Sequence, residues 1–138
     1  MIELTEEMRT AVGNALEDKL PMIASSVGED GQPTLSFYGS IHVHSADQLA
    51  IWVRTPTAGL LGRIPSNSHM ALLYRNPAAQ LGWQFHGRAR QIEDGDEARR
   101  VYDESPQIER DKDADRLGRA VIIDVDRVIA RGAVIMER

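Results

Sequence analysis

The fold of this 138-residue chain is constrained most strongly by short segments in which apolar and polar residues alternate. Turn-forming residues separate these segments. The clearest is residues 80–92, where Trp83 and Phe85 alternate with Gln84 and His86. A period of two is typical of a β-strand with one buried face. Further strands are predicted at residues 22–27, 34–44, 49–54, 69–74, 120–125 and 128–136. The first three of these are expected to form an antiparallel meander, and Asp126-Arg127 is expected to be the last turn.

Helices are predicted at the flanks of these strands. The first begins after Thr5, which suits an N-cap, and ends before Pro21. Others are predicted near residues 57–64 and 94–103, and in part of 105–119, where the acidic run Glu109–Asp115 suits a solvated helix face. The sequence shows no repeat or linker, so we expect one domain over residues 1–138. Many short strands with tight turns favour a mainly β barrel with flanking helices over a layered parallel sheet.

Composition excludes several classes of protein. The chain has no cysteine, which excludes disulfides, thiolate metal sites and a cysteine nucleophile. No apolar run approaches the roughly 20 residues that span a bilayer, and the acidic N-terminus does not resemble a signal peptide. We therefore expect no membrane partner and a cytoplasmic location. A net charge of −5 argues against nucleic acid as a partner, although arginine greatly exceeds lysine.

One corner of the chain suits an anion. The predicted strand 49–54 ends in Arg54, and Thr55 and Thr57 lead directly into a short predicted helix. Helix N-termini present unpaired N–H groups, and a guanidinium with threonine hydroxyls adds hydrogen bonds to a phosphate. Arg63 lies two turns further on, within reach of the same anion. The alternative is a threonine N-cap beside a solvent-exposed arginine.

Other polar groups have weaker interpretations. His42 and His44 share one face of a strand, which suits a metal, but no third ligand is evident, so we predict no metal site. They are alternatively exposed or interface histidines. His86, Arg88 and Arg90 form a basic strip that either binds an anion or pairs with acidic neighbours. Nucleophile-elbow, dinucleotide-fingerprint and Walker motifs are absent from the sequence.

The order of these pieces resembles the pyridoxamine 5′-phosphate oxidase-like family of FMN-binding split barrels. Residues 22–27 followed by Asp30-Gly31-Gln32-Pro33 look like the opening strand and D-G-x-P turn of that family. Residues 49–55 look like its third strand, which ends in a threonine, here Thr55. Residues 69–77 and 85–90 are similar to the next strand and to the strand with an x-G-x-A pattern. The resemblance covers nearly the whole chain.

The resemblance implies a split β-barrel of six to seven antiparallel strands that pairs as a homodimer. It implies FMN at the dimer interface, with a deazaflavin or haem as the alternatives found in the family. The phosphate is then expected near Arg54 and Thr55, and the flavin ring over Ser36, Phe37 and Tyr38, bonded by backbone N–H groups there. Where the family often has Ser-x-Lys, this chain has residues 59–61 without a lysine, so Arg63 is expected to take its place.

The implied function is a flavin-dependent oxidoreductase that acts on a small-molecule substrate. The missing lysine leaves an alternative open, in which the same barrel is a non-catalytic module for flavin, deazaflavin or haem in a stress response, or binds no cofactor. The homodimer has its own argument, because Trp83, Phe85, Trp52 and Phe37 exceed the apolar strand surface that one small core can bury.

Overall fold

A computed structural model describes residues 1–55, 59–93 and 95–138 of the chain. Its four helices are α1 (Glu6–Asn14), α2 (Leu60–Arg63), α3 (Gly95–Asp103) and α4 (Gln107–Asp111). Its eight strands are β1 (Ile23–Val27), β2 (Pro33–Phe37), β3 (His42–Ser45), β4 (Gln48–Val53), β5 (His69–Asn76), β6 (Leu81–Ile92), β7 (Arg119–Ala130) and β8 (Ala133–Glu137). Among the residues described, none of the helices is long and apolar enough to cross a membrane.

All eight strands belong to one antiparallel sheet, with the order β2-β1-β5-β6-β7-β4-β3. The long strand β7 has three neighbours, because its first half pairs with β4 and its second half with β8, while β6 runs along both halves. The prediction of a mainly β protein with flanking helices is confirmed. The sheet has eight strands because the predicted second strand is two separate strands.

The expected meander of the first three strands is wrong. Residues 33–37 pair with β1, whereas residues 42–45 pair with β4, so β2 and β3 lie at opposite ends of the strand order. The chain leaves the sheet at Gly39, where an added Cβ would lie 2.9 Å from the Glu109 carboxylate. The Ser40 hydroxyl then donates to the carbonyl of Trp52 at 2.8 Å and accepts from its N–H at 3.0 Å, which directs the chain toward β4.

The expected turn at Asp126-Arg127 is also wrong. Strand β7 continues through both residues, and the extra residue is absorbed by a register shift opposite His86 and Gly87. The turn lies instead at Arg131 and Gly132, with φ angles of 51° and 78°. Positive φ at both central positions is the requirement of a type I′ two-residue hairpin turn, and glycine is the residue that adopts it without strain.

Strand β4 is buried on both faces and therefore fixes the position of the residues that follow it. Leu49, Ile51 and Val53 point into the main core, which α1 covers at one end. Ala50 and Trp52 point the other way and pack against α3 through residues 101 and 102. Opposite faces of a strand alternate in this way, so a fully apolar strand indicates cover on both sides.

Candidate functional site

A cavity of about 570 Å³ lies beyond the end of β4, and we call it the β4-end cavity. Most of its wall comes from three parts of the chain that are far apart in sequence, and residues near the end of α1 and the start of α2 complete it. One is the end of β2 and the link that follows it, one is the end of β4, and one is α4 with the residue after it. The lining residues are 16, 21, 36–40, 52–55, 59, 60, 109 and 112.

Five of the seven residues predicted from the sequence to hold a cofactor line this cavity. They are Ser36, Phe37, Tyr38, Arg54 and Thr55. The sixth, Arg63, does not line it: its Nε donates to the Ser26 hydroxyl on β1 at 2.6 Å, and its guanidinium packs beside Gly59. The seventh, Thr57, lies outside the described residues.

Two cations meet one carboxylate in the cavity wall. The Arg54 Nε lies 3.6 Å from Oε1 of Glu109, and the Lys112 Nζ lies 3.4 Å from Oε2 of the same residue. Glu109 is only 6% exposed, whereas both cationic side chains are about half exposed to solvent. A buried carboxylate needs compensating charge and hydrogen bonds, and these cations provide it.

Asp113 joins the end of α4 to the sheet. Its Oδ2 accepts hydrogen bonds from the Trp52 indole Nε1 at 2.8 Å and from the Gly118 N–H at 2.9 Å, and its Oδ1 accepts from the Leu117 N–H at 2.9 Å. Burial by itself raises the pKa of Asp113, but these three hydrogen bonds and the nearby charge of Arg54 outweigh it and hold the pKa below its ordinary value. The carboxylate is therefore ionised at neutral pH.

The prediction of a solvated face for the acidic run is wrong for two of its members. Glu109 and Asp113 are both buried, one in the cavity wall and the other beneath Trp52. A signal was present in the sequence, because Glu109, Lys112 and Asp113 recur at spacings of three and four and so share one face of a helical turn. Such a stripe identifies a common face but does not say which strand it contacts.

The edge strand β2 forms the opposite wall and presents apolar groups to solvent. Phe37 is 66% exposed. The Tyr38 N–H donates to the Met22 carbonyl, so by the alternation of antiparallel pairing the amides of Ser36 and Tyr38 face β1, while that of Phe37 faces the open edge. Of the three backbone groups predicted to contact a ring, the one at Phe37 is directed away from the sheet.

The histidine pair lies away from this cavity. His42 and His44 are buried beneath α3, not exposed: His42 Nδ1 is 2.6 Å from the Ser40 carbonyl, and His44 Nε2 is 3.2 Å from Glu97. Burial lowers the pKa of His42 below its ordinary value. Within the described part of the chain, no three His, Cys, Asp or Glu side chains are grouped so that they could hold a metal ion.

The basic strip on β6 is compensated by acidic neighbours on β7. Arg88 makes two hydrogen bonds of 2.8 Å to Asp126, and Arg90 makes one of 2.9 Å to Asp124. Of the two sequence interpretations, pairing with acids is the arrangement that the structure contains.

Comparison with known families settles the classification. Residues 4–131 match the family model of pyridoxamine 5′-phosphate oxidase. The chain belongs to the pyridoxamine 5′-phosphate oxidase family. Among curated protein sequences, none matches it. Residues 59–61 contain no lysine, and the lysine that lines the cavity is Lys112, which directly follows the distant helix α4.

Several solved structures share the fold of this chain. A candidate pyridoxamine 5′-phosphate oxidase from Lactobacillus delbrueckii superimposes with a TM-score of 0.70 at 23% identity, covering 94% of this chain and 96% of that one. An FMN-binding protein from Syntrophomonas wolfei gives 0.64 at 7% identity, covering 96% and 86%. An F420 reductase gives 0.61 at 17% identity, covering 80% and 89%. The expected split barrel of the pyridoxamine 5′-phosphate oxidase family is confirmed.

Proposed function

We propose that this family member binds FMN in the β4-end cavity and uses it to oxidise or reduce a small-molecule substrate. The observation that carries the proposal is that Arg54 and Thr55 at one end of the cavity face the same space as Phe37 and Tyr38 at the other. A volume of about 570 Å³ is in the range of small-molecule sites. Fold neighbours named as an FMN-binding protein and an F420 reductase support a flavin-type cofactor.

The phosphate end of the proposed site is cationic. The Arg54 guanidinium, the Lys112 ammonium and the Thr55 hydroxyl are donors of the kind that bind phosphate oxygens. Arg54 and Lys112 already flank one anion, the Glu109 carboxylate, which supports the fit of this end to an anionic group. A neutral ligand would use none of this charge.

The ring end of the proposed site is aromatic and borders the open edge of the sheet. Phe37 and Tyr38 offer apolar surface, and the outward Phe37 N–H offers a hydrogen bond to a polar edge of the ring. A bound flavin supplies the hydride-transfer chemistry, and the protein supplies binding, orientation and exclusion of water. Leu60 and Trp52 contribute apolar wall between the two ends.

We further propose that the protein is a homodimer formed through the outer face of β2, β1, β5 and β8. Cross-strand pairing aligns six residues along one row of that face and its continuation over β6 and β7: Phe37, Ile23, Leu73, Gln84, Ile129 and Val134. All but Gln84 are apolar, and Leu35 stands beside the row at 70% exposure. Apolar rows of this kind on a sheet surface mark interaction sites.

The aromatic residues first expected to drive dimerisation take little part in this face. Trp83, Phe85 and Trp52 are buried within the protomer, so of that set only Phe37 remains available to a partner. The apolar surface comes instead from the aliphatic residues of the same row.

A second candidate function is a non-catalytic module that holds the flavin. The absence of a lysine at residues 59–61 motivates it, and the buried Glu109 carboxylate beside the phosphate end further weakens binding of a dianion. Turnover separates the two functions: flavin that binds but is never reduced by NAD(P)H in the presence of acceptors supports the module. The expected cytoplasmic location stays a prediction.

The test is a titration of the purified protein with FMN, measured by quenching of flavin fluorescence. It is repeated with deazaflavin by the same readout and with haem by its visible absorbance. We expect saturable FMN binding that weakens at least tenfold in Arg54→Gln, since a charge-assisted hydrogen bond contributes about 1.5–3 kcal/mol. Arg99→Gln is the matched control, because Arg99 is exposed on α3 and pairs with Asp96. Failure to bind any of the three groups would refute the cofactor proposal.

A further inference from the structure

The Glu109 carboxylate is buried between two cations, which is not the environment of an acid on the protein surface. Its two oxygens face two different cations, Arg54 at 3.6 Å and Lys112 at 3.4 Å, in the wall of the β4-end cavity. The carboxylate also rests on Gly39, where a Cβ would lie 2.9 Å from it. The chain therefore holds one small anion at the point where both cations converge.

Lys112 is a cation that reaches the cavity from a distant part of the chain. The chain has only two lysines, and neither follows Thr55 at residues 59–61, where the resemblance leads one to expect a cation. Arg63, the expected replacement, is engaged with Ser26 instead. Lys112 arrives at the same cavity from the β6–β7 connection. A cation in the cavity can act on a ligand from whichever element carries it, because charge–charge attraction depends on distance and not on sequence.

We propose that Lys112 is the second cation of the phosphate site, and that Glu109 occupies the phosphate position until the cofactor displaces it. This inference rests on the proposed function, and the ligand class of the site is a phosphate monoester. Phosphate oxygens can take the places of the two Glu109 carboxylate oxygens, because carboxylates and phosphates accept the same charge-assisted hydrogen bonds. In the bound form the carboxylate has to leave the two cations, since two anions cannot share them without strong repulsion.

The charge of the site predicts selectivity. With Glu109 displaced, Arg54 and Lys112 attract the phosphate of FMN but do nothing for riboflavin, which has the same ring and no phosphate. Removing Lys112 therefore weakens FMN binding and leaves riboflavin binding nearly unchanged. Removing the Glu109 charge has the opposite effect, because the phosphate no longer competes with an internal anion. A purely structural role for either residue would change both affinities together.

The experiment compares FMN with riboflavin by fluorescence titration in four variants. Lys112→Met is paired with Lys19→Met, which removes the other lysine of the chain, an exposed residue that does not line the cavity. Glu109→Gln is paired with Asp111→Asn, which removes an acid from the exposed side of the same helix. We expect FMN to bind about tenfold more weakly to Lys112→Met and about tenfold more tightly to Glu109→Gln. Riboflavin affinity and both control variants stay within about twofold of the original protein.

A second measurement uses inorganic phosphate alone and needs no flavin. We expect phosphate to raise the melting temperature of Glu109→Gln more than that of the original protein, and the increase to vanish when Lys112→Met is added. If FMN binds but neither its selectivity nor the phosphate response depends on these residues, the inference is overturned and the proposed function stands. If the phosphate response follows the expected pattern while no flavin binds, the anion site stands and the proposed function fails.

Discussion

The indole Nε1 of Trp52 donates a hydrogen bond of 2.8 Å to Oδ2 of Asp113. This contact joins the last turn of the β6–β7 connection to the end of β4, on either side of the β4-end cavity. The same carboxylate accepts hydrogen bonds from two backbone N–H groups. Asp113 does not itself line the cavity, but the position of Glu109 and Lys112 beside Arg54 depends on it.

Replacing Asp113 with asparagine is expected to lower the free energy of unfolding by about 1–3 kcal/mol. An amide has one accepting oxygen in place of two, so at least one of the three donors around Asp113 is left buried without a partner. Urea denaturation at neutral pH measures the change. Asp111→Asn, at an exposed position on α4, is the control and should keep the original midpoint. Equal midpoints for both variants would contradict this account of Asp113.

Stability is expected to fall steeply in acid. Burial raises the pKa of Asp113 and Asp124, but hydrogen bonds from Trp52 and Arg90 outweigh it, and both pKa values lie below the ordinary 3.8. The Arg88 guanidinium lowers the pKa of Asp126 in the same way. Because the folded pKa values are the lower ones, this stability is complete above the ordinary value and is lost as the pH falls through the folded values.

Urea midpoints measured from neutral pH to below 3.8 test this dependence. The Asp113→Asn protein lacks one of the three depressed carboxyls, so its midpoint should decline less over the same range. A decline as steep as that of the original protein would mean that Asp113 does not contribute to the acid response.

Substitution of Gly118 by alanine is expected to destabilise the protein by about 2–3 kcal/mol. An added Cβ would lie 2.4 Å from the Val53 carbonyl oxygen and 2.7 Å from the Trp52 Nε1, and the backbone oxygen of a buried strand cannot easily move. Thermal unfolding measures the loss. Gly13→Ala is the control: a Cβ there meets nothing within 4 Å, and the helix propensity of alanine should raise stability by about 1 kcal/mol.

Charge on the outer apolar row is expected to separate the proposed dimer. Leu73→Asp places a carboxylate in the row that contains Phe37 and Val134, so an interface there would have to bury an unpaired charge. Sedimentation velocity at micromolar concentration should show a dimer for the original protein and a monomer for the variant. Leu117→Asp, at an exposed position outside the strands, should remain dimeric. A monomeric original protein would refute the dimer.

The sequence predicted those parts of the site that depend on local signals. The strand that ends at Val53 is a short apolar run, and the Arg54-Thr55 pair follows it directly, so both could be placed without knowing the fold. Phe37 and Tyr38 reach the cavity because the D-G-x-P turn fixes the first hairpin, in which β2 pairs with β1. Arg63 does not line the cavity, because its side chain turns to β1 and donates to the Ser26 hydroxyl, a contact that no local pattern reveals.

The other half of the site depends on contacts between distant segments. Gly39 divides what looks like one long strand, and the side chain that packs against it there is Glu109, which belongs to the β6–β7 connection. Similarly, Lys112 and Glu109 look like members of a solvated charge run until Asp113 is seen to bond Trp52. Periodicity assigns residues to a face, but it does not reveal which surface that face will meet.

The β6–β7 connection supplies acidic and basic groups to the β4-end cavity while contributing no strand to the sheet. Its exposed positions can accordingly diverge without disturbing strand pairing, provided that Asp113, Gly118 and the α3 residues packed against Trp52 are kept. The same connection therefore both anchors the sheet, through Asp113 and Gly118, and supplies the charged groups of the cavity wall, Glu109 and Lys112.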